Sequence, residues 1–186
     1  MLTIGITGTI GSGKGALVEF LQAKGFEHFS ARTFLTQELE KRGLEVNRPS
    51  MTAFANDLRQ KGGPGAMISL LVARAKASGK NGIVESIRTL GEVETFKREA
   101  VNPIFLAVDA KPKIRYERIL KRGSALDNIT YEQFLSDDAK EMSSPEIWKG
   151  NIAGCIKLAD YVFHNDGSKE EFLQEVEREF VKLKLG

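Results

Sequence analysis

The chain has 186 residues, 41% hydrophobic and 28% charged, a size and composition that suit one folded domain with its own core and exclude a multidomain assembly. Its 27 basic and 25 acidic side chains leave a formal net charge of +2, too small for attraction to a nucleic acid backbone to be the expected mode of binding. Mean hydropathy is −0.24 and no apolar run approaches the roughly 20 residues that span a bilayer, so no membrane partner is expected either.

Residues 2–7 form a short apolar, β-branched run ended by glycines, the pattern of a buried strand in a parallel sheet. Within 14–24, Leu17, Val18, Phe20 and Leu21 recur at helical spacing, and Gly25 supplies a C-terminal stop. Residues 27–30 suit a second strand. Helices are predicted over 33–42, closed by Gly43, over 49–60, opened by Pro49, and over 66–78. The next strands are 83–85 and 104–108, leading to the carboxylates Glu85 and Asp109, with a polar amphipathic stretch over 92–98 between them. Residues 112–122 read as helix, and Thr130 and Gln133 have capping-box spacing for another. A short amphipathic helix is predicted over 151–158 and a last strand over 161–163. Ser168 and Glu171 form a second capping box, opening a helix with Phe172, Leu173, Val176 and Phe180 on one face.

This alternation predicts an α/β fold: an open parallel sheet of about five strands with helices on both faces, because parallel strands need crossovers and the crossovers cover the faces. Cys155 is the single cysteine, which excludes an internal disulfide and a thiolate-rich zinc site. Residues 1–7 lack the basic region and cleavage site of a secretory leader, so a reducing, cytoplasmic setting is expected.

Gly8-Thr9-Ile10-Gly11-Ser12-Gly13-Lys14 follows the first strand and opens the first helix, the context in which G-x-x-x-x-G-K signals a phosphate loop. A triphosphate needs inward-pointing backbone N–H groups, glycines where the chain turns tightly, a helix N-terminus behind it and one ammonium near the transferred phosphate. The stretch from Gly8 to Ala16 supplies each part and is the predicted nucleotide site. The motif usually continues with Ser or Thr, whose hydroxyl reaches Mg²⁺, but here Gly15 and Ala16 follow. The metal is then expected to be held by the nucleotide's phosphates, by water and by a strand-end carboxylate, with Glu85 the candidate through water.

Phosphoryl transfer asks a protein chiefly to align two reactants and to neutralise charge on the moving group, so arginines should converge on the site. Arg88 follows the strand-end Glu85-Ser86, where open α/β sheets expose their ligand crevice. Arg118 and Arg122 stand at i, i+4 on one predicted helix face, within reach of one anion, although the same spacing also describes a solvated face.

Lys14-Gly15 resembles the G-K-G-T loop of nucleoside monophosphate kinases such as adenylate kinase, with Ala16 in place of the threonine. Glu85-Ser86-Ile87-Arg88-Thr89 is similar to their D-G-F-P-R-T segment, one residue shorter, and the segment from Arg118 to Arg122 resembles their R-x-x-x-R lid segment. In those enzymes these arginines bind phosphates. The run from Ala159 to Gly167 resembles the A-D-Y-V-I-x-N-x-G segment of dephospho-CoA kinase, whose loop flanks the adenine, which implies that Asn165 and Gly167 border the donor. Phe29-Ser30-Ala31 resembles the start of the acceptor segment L-S-A-G-D-L-L-R, but Arg32 and Thr33 replace Gly-Asp, and Thr36 replaces the acceptor-binding arginine. Arg32, Arg59 and Arg88 are therefore the candidates for binding the acceptor, with Arg48 and Asn56 as further ones. The resemblance covers nearly the whole chain and implies a P-loop NTPase fold with a helical acceptor-binding segment over 31–80 and a lid over 118–148.

What the resemblance implies is a kinase that moves the γ-phosphoryl group of ATP, with Mg²⁺, onto a small nucleotide-like acceptor. In that scheme Lys14 stabilises the transferring group, Arg118 and Arg122 close over it, and Arg88 holds the acceptor. A (deoxy)nucleoside monophosphate brings its own anionic nucleophile, whereas dephospho-CoA offers a ribose hydroxyl that benefits from a base, a role open to Glu85. A third reading, a nucleotide-dependent ATPase or switch without a small acceptor, is motivated by the missing hydroxyl at Gly15 and Ala16. His28 and His164 stand far apart in sequence and are expected to carry no chemistry. Cys155 is expected to be a buried apolar residue, and Trp148 to anchor the lid.

Overall fold

In the computed structural model, which describes residues 1–123, 129–144 and 149–183, strands and helices alternate along the chain. The strands β1 (Thr3–Gly8), β2 (Glu27–Ser30), β3 (Gly82–Glu85), β4 (Pro103–Asp109) and β5 (Tyr161–His164) pair in parallel in the order β2-β3-β1-β4-β5. The crossovers carry α1 (Lys14–Ala23), α2 (Ala31–Lys41), α3 (Arg48–Gly62), α4 (Ala66–Ser78), α5 (Leu90–Glu99), α6 (Pro112–Arg122), α7 (Tyr131–Met142) and α8 (Ile152–Lys157). The last helix is α9 (Lys169–Lys182). The predicted open parallel α/β sheet is therefore the observed architecture.

Period-2 alternation along the strands divides the core in two. Ile4, Ile6, Ile83, Leu106, Val108 and Phe163 pack with Leu17, Val18 and Leu21 of α1 and with Phe172, Val176 and Phe180 of α9. On the opposite face, Val84 and Phe105 join Phe34, Leu39, Ile68, Leu71, Val93, Phe96 and Cys155, contributed mainly by α2, α4, α5 and α8. Phe96 and Phe105 are wholly buried with ring centroids 6.0 Å apart; burial stabilises such a side chain by about 1.5–3 kcal/mol.

Local capping chemistry sets several boundaries. Ser30 accepts a hydrogen bond from the Thr33 amide, so α2 leaves β2 directly at Ala31, two residues before the predicted start. Asn47 and Ser50 form a reciprocal box at the start of α3. Thr89 and Glu92 do the same for α5, which runs past both ends of the amphipathic stretch read from sequence. The segment 31–80 is mostly helical, as expected, through α2, α3 and α4. The expected lid contains α7, while Trp148 lies outside the described residues. Among the described residues no helix is long and apolar enough to cross a membrane.

β1 stands at the centre of the sheet; from it the chain goes to the edge strand β2, returns to β3 beside β1, then crosses to β4 on the other side and on to β5. The C-terminal ends of β3, β1 and β4 therefore open together, and ligand crevices in open α/β sheets form at such a switch point.

Candidate active site

β1 carries the chain into the glycine loop, and α1 starts at Lys14 with Gly13 as its cap. Gly13 adopts φ 103°, a left-handed conformation that glycine alone adopts cheaply, and a Cβ there would collide with the Asn165 side-chain amide. Unlike α5 and α9, which carry reciprocal capping boxes, α1 has neither a side-chain cap nor an acidic residue in its first turn. Its N-terminal donors and positive dipole end thus stay available to an anion. Ser12 is fully buried, and its Oγ has no protein partner. A buried hydroxyl in that position costs about 1–3 kcal/mol, which a phosphate oxygen accepting its proton would relieve.

Lys14 Nζ donates to the carbonyls of Gly8 at 2.8 Å and Thr9 at 2.7 Å. Desolvation first, and then the Arg88 cation, push the ammonium down to about 8, against the opposing pull of Glu85 and Glu141. Thr9 Oγ1 donates to Asp109 Oδ1 at 2.8 Å, which ties the loop to the end of β4. These groups fit a polyphosphate.

The loop after β5 packs on the phosphate loop. Asn165 is buried; its Nδ2 donates to the Ser12 carbonyl at 2.8 Å, and its backbone N–H donates to the Asp109 carbonyl at 2.8 Å. Arg118 meets the same loop, donating to the carbonyls of Asn165 and Gly167 at 2.8 and 3.0 Å and to Asn165 Oδ1 at 3.1 Å. The carbonyls of the β5–α9 loop engage the Arg118 guanidinium, which braces this loop. Arg122 occupies the last turn of α6 and is exposed.

Arg115, which the sequence reading missed, is the buried arginine of α6. Its Nε donates to the Ala110 carbonyl at 2.8 Å and Nη1 to the Ile10 carbonyl at 3.3 Å, and both Nη atoms grip Asp138 of α7. Its spacing three residues before Arg118 carries no sign of this burial.

Glu85 closes β3 opposite Ile6 of β1. Burial drives its carboxyl upward, but the His28 hydrogen bond and the charges of His28, Lys14 and Arg88 hold it below the ordinary carboxylate range. His28 Nε2 lies 3.0 Å from Glu85 Oε2, a contact across the β2–β3 pair. Ser86 next takes φ 72°, left-handed for a residue with a Cβ, so the chain turns under strain into Arg88. Arg88 Nη1 donates to Glu141 Oε2 of α7 at 3.0 Å.

Arg59 is not placed to meet an acceptor. It is buried with its Nε and Nη2 each 2.9 Å from Oε1 of the fully buried Glu92. Glu92 Oε2 accepts from the amides of Arg88 and Thr89 at 2.7 and 3.2 Å, so the pair fixes the turn that carries Arg88. Arg32 is exposed at the start of α2, and Asn56 Oδ1 accepts from Arg59 Nη1 at 3.3 Å. Arg48 lies in the first turn of α3.

Among the described residues no group of three or more His, Cys, Asp or Glu side chains forms a metal cage. A Cβ added at Gly15 meets nothing within 4 Å, so among the described residues no side chain supplies an oxygen where the motif usually places one. This donor set fits a metal carried by the nucleotide's own phosphates and water.

Comparison with known proteins agrees with this geometry. Residues 4–149 match the family model described as AAA domain. The UPF0200 protein TK1334 of Thermococcus kodakarensis is 34% identical over 178 residues, covering 93% of each chain. Shikimate kinase from Bacteroides thetaiotaomicron matches with a TM-score of 0.60 and 13% identity over 98% of both chains. Dephospho-CoA kinase from Campylobacter jejuni matches with a TM-score of 0.57 and 16% identity, over 99% of this chain and 98% of its own. Those two likenesses are of fold, and the fold is that of the P-loop kinases. With a glycine loop under α1, and with sequence identity to TK1334 extending along nearly the whole chain, the protein belongs to the UPF0200 family and to the AAA-domain group of P-loop folds.

Proposed function

We propose that the protein is an ATP-dependent phosphotransferase that acts on a small nucleotide-like acceptor. The observation that carries this reading is the parallel pairing that sets Glu85, at the end of β3, opposite Ile6 of β1, so that the strand-end carboxylate and the turn to Arg88 open beside the glycine loop that carries Lys14. A protein that only binds nucleotide needs the loop but not this second charged group beside it.

Backbone N–H groups between Gly8 and Ala16 cradle the donor phosphates, and the Ser12 hydroxyl has an unfilled donor to offer them. Lys14 leaves the Gly8 and Thr9 carbonyls to meet the transferring group. Asn165 and Gly167, held by Arg118, border the donor. Arg88 and the exposed Arg32 hold the acceptor, within a segment over 31–80, and α7 and Arg122 belong to a lid over 118–148. Mg²⁺, when bound, supplies charge neutralisation on the donor phosphates. The acceptor is a nucleoside monophosphate or a larger nucleotide of the dephospho-CoA kind.

The test is ADP release from ATP and Mg²⁺ across separate ribo- and deoxyribonucleoside monophosphates and dephospho-CoA, with Lys14→Ala as the background. Strong stimulation by one acceptor establishes the kinase. A uniform rate despite measurable ATP binding replaces it with a nucleotide-dependent switch, the reading that the hydroxyl-free Gly15 and Ala16 favour.

A further inference from the structure

Arg59, Arg115 and Arg88 each pair with a carboxylate, and the pairs differ in build. Arg59 is 7% exposed and meets the fully buried Glu92, and Arg115 is 3% exposed and grips Asp138 with both arms. Arg88 meets Glu141 through one hydrogen bond, from Nη1 to Oε2 at 3.0 Å, and the two side chains are 43% and 32% exposed. A buried pair is costly to break, whereas a singly bonded pair in contact with water is held weakly and can trade its carboxylate for another anion.

The backbone of Arg88 is fixed independently of that contact. Its amide donates to Glu92 Oε2 at 2.7 Å, and its carbonyl accepts from the Asn151 amide at 2.8 Å. The turn before it is tied to β1: the Ser86 amide donates to the Ile6 carbonyl at 3.1 Å, and the Thr7 hydroxyl, next to Gly8, donates to the Ile87 carbonyl at 2.7 Å. The Arg88 side chain can therefore change partner while its root stays beside the glycine loop. Ser30 pairs with Glu85 across β2 and β3, so Arg32 and Arg88 follow the ends of adjacent strands. Arg32 is exposed and makes no ion pair among the described residues. Glu141 stands in the last turn of α7, where the helix dipole disfavours a carboxylate, so the helix itself does not account for its place.

We propose that Glu141 is a built-in competitor for Arg88: in the free protein its carboxylate takes the place of an anionic phosphate group of the acceptor, and acceptor binding exchanges one for the other. This rests on the reading of Arg88 as an acceptor residue and deepens it. The exchange favours phosphate, which can offer two oxygens to the guanidinium fork where Glu141 uses one. The exposed Arg32 supplies a second cation to the incoming anion. α7 stays seated meanwhile, because Asp138, three residues before Glu141, keeps its grip on Arg115. Breaking the Arg88 pair subtracts from acceptor affinity, so Glu141 sets how tightly the acceptor is held.

The probe is inorganic phosphate, titrated by calorimetry into the full chain with its glycine loop filled by saturating ADP and Mg²⁺. Glu141→Ala and Glu141→Gln should each bind phosphate about fivefold more tightly than the wild type. Arg88→Ala should bind it more weakly, and adding Glu141→Ala to Arg88→Ala should change the affinity by less than about twofold, because the competitor has then lost its target. Equal affinity in the wild type and both Glu141 variants, a gain that persists without Arg88, or no phosphate binding by the Glu141 variants overturns the inference. In parallel, KM for whichever nucleoside monophosphate or dephospho-CoA stimulates ADP release from ATP should fall by the same factor in Glu141→Ala. An unchanged KM for an active acceptor overturns the inference and leaves the kinase standing. If no acceptor stimulates ADP release, the kinase reading falls, and the phosphate titration still decides whether Glu141 competes for Arg88.

Discussion

Asp138 of α7 receives both guanidinium arms of Arg115, each at 2.7 Å, while the same guanidinium donates to the Ile10 carbonyl of the phosphate loop at 3.3 Å. The placement of α7 is thereby linked to the loop through one side chain that is 3% exposed. Phe134 of α7 adds its ring face, 5.2 Å from the guanidinium carbon. Removing the carboxylate leaves a buried cation without its partner, a loss of about 3 kcal/mol. Asp138→Ala should therefore lower the midpoint of chemical denaturation and also weaken ATP binding, because Arg115 is then free to pull away from Ile10. An unchanged ATP affinity in a destabilised variant would show that the link does not reach the loop.

Lys14 predicts a proton uptake. Its folded-state value of about 8 lies below the ordinary 10.5, so between those limits the folded chain sheds a proton that the unfolded chain keeps. The Lys14 contribution to stability should rise with pH across that window and stay flat below it. Phosphate favours the ammonium form, so ATP binding just above pH 8 should take up a proton. Calorimetry in buffers of different ionisation enthalpy reads this directly, and Lys14→Ala should abolish the difference between buffers.

Arg59→Ala should behave as a stability variant. Its guanidinium partners a carboxylate that is 0% exposed, and removing one member of such a pair costs about 3–5 kcal/mol. The thermal midpoint should fall while KM for the acceptor, measured well below that midpoint, stays near wild type. A raised acceptor KM at unchanged stability would restore Arg59 to the acceptor site.

Cys155 should be inert in the native protein. Burial, followed by the nearby Glu92 charge, pushes its thiol up to about 12, leaving almost no thiolate at neutral pH. A thiol-reactive chromogen should label it only at the rate of unfolding, and labelling should become rapid in denaturant.

The glycine loop, most of the elements and the parallel sheet were legible in the sequence because they rest on local patterns: β-branched runs, helical periodicity, and capping pairs such as Ser168 and Glu171 three residues apart. The phosphate loop is readable for the same reason, since strand, turn and helix are contiguous from Thr3 to Ala23.

The partners of the charged side chains follow a different rule. His28 meets Glu85 across 57 residues, Arg88 meets Glu141 across 53, and Arg59 meets Glu92 across 33. Nothing in the spacing of Arg59 on a polar helix distinguishes it from a solvated neighbour. Docking of α3 near the turn that carries Arg88 takes its cation out of water, and the desolvation cost is met only because Glu92 is there. Arg118 and Arg115 stand three residues apart on α6, yet one braces the β5–α9 loop and the other is buried under α7. The sequence by itself determined the glycine loop proposed to hold phosphate, because that loop is built from consecutive backbone groups. Tertiary structure alone decided which carboxylates and arginines face it, because burial and pairing across the sheet select the charges that remain available for chemistry.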